Sequence, residues 1–68
     1  MTDKPMTPIE ALHLALDEER KAVALYTRLA KEATAQSTRK MFDFLIGEET
    51  KHIKLIQDEL DTGAYQDM

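Results

Sequence analysis

The sequence predicts an all-α fold: a two-helix antiparallel hairpin, half of a four-helix bundle that homodimerisation completes. Three observations predict it. Apolar residues recur in alternating steps of three and four along two segments, which is the helical period. A short polar stretch at residues 36–38 separates those segments, and short links between helices make antiparallel pairs. Two helices also leave their shared apolar stripe open on one side, and a second hairpin facing the first would close it.

Composition narrows the classes. The chain has 68 residues and no cysteine, so it is at most one small domain, 1–68. A core of that size usually needs a disulfide, a metal or a partner chain to hold. Disulfides and thiolate metal sites are excluded, which leaves metal and oligomerisation, and a reducing compartment is compatible. The net charge of −4 argues against nucleic acid as a partner. Met1-Thr2-Asp3-Lys4-Pro5 lacks the basic-then-apolar order of a signal peptide, and no apolar run is long enough to span a membrane. The expectation is a soluble, cytoplasmic protein with no membrane partner.

The elements follow in order. Residues 1–6 read as a polar lead broken by Pro5. Thr7-Pro8 starts a helix, because threonine accepts backbone N–H bonds as a cap and proline suits the first helical position. Glu10 completes the capping-box spacing with Thr7 and faces the positive end of the helix dipole. From there Ile9, Leu12, Leu16, Val23, Ala30 and Ala33 mark the stripe, with Glu19 and Tyr26 standing at its two missing positions. No glycine or proline interrupts the run, and strong helix formers dominate it. One helix of about seven turns, residues 8–35, is expected.

Thr34 to Thr38 loses the pattern, so a link at 36–38 is expected, with Ser37 or Thr38 capping the next helix. The second helix, residues 39–61, carries Phe42, Leu45, Glu49, His52 and Ile56 in the same alternation, widened by Ile46, Ile53 and Leu60. Gly47 costs about 1 kcal/mol against alanine in a helix interior. It reads either as a tolerated surface glycine or as a site of close helix approach. Gly63 ends the helix as a left-handed terminator, and residues 62–68 form a tail. Leu14, Leu25 and Phe44 lie off the stripe and hint at contacts beyond a dimer.

The stripe therefore holds Glu19, Tyr26, Glu49 and His52 among apolar residues. Glu49 and His52 are three apart and share one helix face. An ionised carboxylate in a bundle core costs several kcal/mol unless it is paired or bound to a cation. A dimer would hold four such carboxylates and two imidazoles, with no lysine or arginine at a stripe position. A pair of divalent cations supplies the missing charge, and carboxylate with imidazole suits iron or manganese. The alternative for Glu19 is a solvated face shared with Glu18, Arg20 and Lys21. Glu48 is the alternative to Glu49 and belongs at the rim if phase decides. His52 is otherwise a satisfied core histidine. Tyr26 reads as core, with a ligating carboxylate in reach of its hydroxyl. His13 lies off the row and reads as structural or interfacial.

At these residues the chain resembles a known family. Glu19-x6-Tyr26-x2-Leu29-Ala30-x-Glu32-Ala33, followed by Phe42-x2-Leu45-x2-Glu48-Glu49-x2-His52, is similar to one half of a rubrerythrin or ferritin-like domain. The hairpin length and the Glu19, Glu49, His52 spacing resemble the encapsulated-ferritin group of two-helix half-ferritins. The resemblance implies a di-iron site between two chains, two irons per dimer, ligated by Glu19, Glu49 and His52 of each. It implies a ferroxidase that oxidises Fe(II) to Fe(III), serving iron storage or detoxification, with Tyr26 near the metals. It also implies dimers assembled into rings, commonly decamers. Two departures stand out. Asp61 to Met68 shows nothing like the peptide that targets encapsulated members to an encapsulin shell. Lys21 stands where the family has an outer acidic metal-uptake residue, so no uptake site on Glu18 is carried over. The competing readings are a rubrerythrin-like peroxide reductase with an external reductant and a metal-free helical dimerisation module.

Overall fold

The computed structural model describes residues 5–63, and these form two helices, α1 (Pro8–Glu32) and α2 (Gln36–Asp61), packed on one another as a hairpin. Among the described residues there is no strand. The all-helical hairpin is the expected one.

α1 begins as its sequence dictates. The Glu10 N–H donates to Thr7 Oγ1 at 3.1 Å, and the Thr7 N–H donates to Glu10 Oε1 at 2.9 Å. Two of the N–H groups that a helix start leaves unpaired are thereby satisfied, with Pro8 needing none. Lys31 lies in the last turn, where the helix dipole favours a cation.

The link is a correction to the expected boundaries. α1 stops at Glu32 rather than 35, and α2 starts at Gln36 rather than 39, so the connection is residues 33–35. Ala33 leaves the helix with extended backbone while its N–H still closes on the Leu29 carbonyl at 3.0 Å. Its own carbonyl accepts from Arg39 Nη2 at 3.0 Å. The guanidinium therefore reaches back across the link and supplies the partner that a helix end needs. Ala35, not Ser37 or Thr38, is the N-cap of α2, and it makes no side-chain cap bond. Ser37 and Thr38 are already inside the first turn.

α2 ends where glycine permits it. The Thr62 N–H bonds to the Asp58 carbonyl at 2.9 Å, and Gly63 follows at φ 77°, the left-handed conformation expected of it. The rest of the expected tail, residues 64–68, and residues 1–4 of the expected lead lie outside the described residues.

Packing is one layer deep. Among the described residues only Leu16 and Ala30 are buried, both on α1, and α2 has none. Leu12, Val23, Phe42, Leu45, Ile53, Ile56 and Leu60 are half-buried, so each stripe is covered by the other helix on one side alone. Leu14, Leu25, Met41, Phe44 and Leu55 are exposed. Stable domains set two layers of structure around a core, and this hairpin supplies one. Gly47 is exposed, and a Cβ placed on it would meet nothing within 4 Å. Within one chain, no helix approaches it.

Candidate metal centre

Glu19 sits near the middle of α1, and Glu49 with His52 sits near the middle of α2. Stripe phase turns all three toward the contact between the helices, and antiparallel packing brings the midpoints level. Each offers one ligand atom, and those atoms lie within 4.8 Å of one another. His52 Nδ1 is 3.4 Å from Glu19 Oε2 and 3.9 Å from Glu49 Oε2.

The adjacent glutamates sort by exposure. The side chains of Glu19 and Glu49 are 26% and 18% exposed, those of Glu18 and Glu48 60% and 38%. Glu18 pairs with Lys21 at 3.2 Å and Glu48 with Lys51 at 3.0 Å. The outer carboxylates thus hold the neighbouring lysines. Among the described residues no lysine or arginine pairs with Glu19 or Glu49. The inner pair is left facing a single imidazole, half of which is in solvent.

Two carboxyl groups at such range cannot both be comfortably ionised. Glu49 is raised above its ordinary value of 4.5, first because it shares a hydrogen with Glu19, then through burial and the Glu19 charge, while His52 pulls the other way. Glu19 Oε2 is shielded from water and has no hydrogen-bond partner. A shielded, unpartnered carboxylate oxygen beside a second carboxylate and an imidazole is a donor set for a divalent cation. On that observation the residues fit a metal, and a bound cation would take over the role of the shared proton.

Tyr26 is half-buried on α1. Its ring stacks on Phe42, centroids 6.0 Å apart and 28° between planes. Glu19 Oε2 accepts no hydrogen bond, so the Tyr26 hydroxyl does not serve it. His13 is exposed and stands outside the donor group. The role of Lys21 and Lys51 in separating outer from inner glutamates went unread in the sequence. The E-E-x-K spacing at Glu18–Lys21 and Glu48–Lys51 was the signal for it, since pairs three apart on a helix are neighbours.

Residues 4–66 match the family described as Rubrerythrin. An uncharacterized protein of Archaeoglobus fulgidus is 42% identical over 55 residues, which span 81% of this chain and 86% of that protein. No solved structure matches the chain. The family match runs through both helices and takes in all three donors, so the chain belongs to the rubrerythrin family, within the ferritin-like di-iron superfamily, whose members typically bind iron.

Proposed function

We propose that two copies of the chain meet through their open stripes and that the bundle so formed is a ferroxidase. Fe(II) is the substrate, taken up as a pair between Glu19, Glu49 and His52 of each chain. The observation that carries this reading is the shielded, unpartnered Glu19 Oε2 within a three-donor group. One hairpin has too few donors for two cations. Two hairpins offer four carboxylates and two imidazoles, the set that ferritin-like di-iron bundles use.

The chemistry balances with a two-electron acceptor. Each of two Fe(II) ions gives one electron, and dioxygen with two protons becomes hydrogen peroxide. With peroxide as acceptor, the same electrons and protons give two waters. The chain's own residues do the rest. Glu19 and Glu49 neutralise the cations, and His52 ligates through a ring nitrogen. Tyr26, two turns from Glu19 on one helix face and stacked on Phe42, takes the place of the tyrosine near the metals in this reading. An open hairpin encloses no mineral, so storage of the product iron requires a shell or another partner.

Native mass spectrometry before and after anaerobic Fe(II) addition tests the proposal, with Glu49→Ala as control. Two irons per pair of chains, lost in the variant, are expected, and the same spectra give the number of chains in the assembly. Uptake of no iron, or equal uptake by the variant, leaves the hairpin as a scaffold.

A further inference from the structure

The two helices carry one pattern twice, at an offset of thirty residues (18 to 48). Its centre is kept. Glu18-Glu19-x-Lys21 recurs as Glu48-Glu49-x-Lys51, and each lysine pairs with its outer glutamate, at 3.2 Å and 3.0 Å. Its ends reverse their charge. Glu10 is answered by Lys40, Arg28 by Asp58 and Lys31 by Asp61.

Because the helices run in opposite directions, equivalent positions lie at opposite ends of the hairpin. The reversal therefore gathers like charges at each end. The link end, residues 26–43, has four bases, among them Lys31 and Lys40, against two acids. The open end, residues 7–17 and 54–63, has one base against five acids, among them Asp58 and Asp61. All of these charged residues are exposed. Each end holds one internal ion pair, Arg28 with Glu32 at 4.0 Å and Lys54 with Asp58 at 3.3 Å. Lys31, Lys40, Glu59 and Asp61 have no ion pair among the described residues. Asp58, Glu59 and Asp61 also stand in the C-terminal turn of α2, against the helix dipole. Nothing within the chain gains from this placement. A neighbour of opposite polarity would.

The donors leave the orientation of such a neighbour open. Glu19, Glu49 and His52 sit near the middle of their helices, so a second hairpin brings its donors level whether its link lies at the same end or at the opposite one. Charge separates the two arrangements. Links at one end would set bases beside bases and acids beside acids. Links at opposite ends set each basic end beside an acidic one, and like-charge juxtaposition is what rejects a wrong pairing.

We propose that Lys31 and Lys40 at the link end, with Asp58, Glu59 and Asp61 at the open end, orient the second copy so that the two links lie at opposite ends of the pair. This rests on the pairing of two copies proposed above. The apolar stripes supply the contact, and the charged ends select its direction.

The test uses the full chain, which has no native cysteine, with a spin label on Ser37→Cys in the exposed first turn of α2. In the two-chain species the labels are expected at about the length of a helix, roughly 37 Å. Labels within about 20 Å, the reach of neighbouring helices about 10 Å apart, overturn the proposal. A second measurement holds for any larger assembly. Lys31→Gln with Lys40→Gln is expected to weaken association on the order of tenfold at low salt, the scale of a few exposed charges. That difference should vanish near 1 M salt, where screening acts within about 3 Å. Unchanged or tighter association of the double variant at low salt overturns the proposal. A wild type that stays a single chain overturns the pairing itself. Far-ultraviolet circular dichroism of each variant separates loss of association from loss of fold.

Discussion

α1 opens on a reciprocal capping box and a first-turn proline, has Glu10 at its positive end and Lys31 at its negative end, and holds both buried residues. α2 opens on Ala35 with no side-chain bond, has no acid in its first turn and no base in its last, and buries nothing. The two are nearly equal in length, 25 and 26 residues. Yet α2 brings two of the three donor residues. The helix with the most local support is thus the frame, and the helix with the least carries most of the chemistry. Helices short of local support take their stability from packing. In this chain that packing is α1, the Arg39 bridge, and, under the proposed function, a second copy and its metal.

The largest test of that contrast lies in the stripe. Leu16→Ala removes the main buried side chain and should cost about 3 kcal/mol, within the range for buried leucine. Urea denaturation followed by helical circular dichroism measures it. Ile56→Ala, on the half-buried α2 side, should cost clearly less if α1 is its one cover. An equal cost would show that something beyond α1 lies on α2, and a cost that grows with protein concentration would identify it as another copy.

The ends of the helices give the next effect. Thr7→Ala should lose about 1 kcal/mol, and Ala35→Ser should gain about as much, because each changes one helix cap. A silent Ala35→Ser would mean that the Arg39 bridge already fixes the start of α2, and adding Arg39→Ala should then restore the gain. Gly47→Ala comes after these. With open space around it, the substitution should stabilise by up to about 1 kcal/mol through helix propensity. A loss in its place would mark Gly47 as a contact between chains.

The smallest effect is a dependence on pH. Glu49 holds its proton more tightly in the fold than in the unfolded chain. Its contribution is therefore fully present below the ordinary value of 4.5 and is lost as pH rises through the higher folded value. Metal-free protein should gain stability from this group as pH falls from neutrality toward 4.5. Glu49→Gln should flatten that part of the profile, and a profile unchanged by the substitution would remove the Glu19 contact as its cause.

What the sequence made legible and what it hid follow from range. The stripes, the Thr7 cap and the left-handed Gly63 depend on residues within a turn of one another, and each was readable. The meeting of Glu19 with Glu49 and His52 was also readable, because two long helices joined by a short link have one way to align their stripes. The link position was not. Ser37 and Thr38 looked like caps, while the observed turn uses alanines and a guanidinium from the far side of the link. Tyr26 was readable as core, but that its ring stacks on Phe42 was not, because that contact joins residues from two helices.

The open stripe has a thermodynamic consequence. If each chain holds half of the donors, metal binding and chain pairing are linked functions. Whatever factor iron contributes to pairing, pairing contributes to iron binding. A dilute or newly made chain would then be a weak ligand, and a concentrated one a strong ligand, with no change in its sequence or its charge. Reactivity toward iron would switch on with the population of chains rather than with any single one of them.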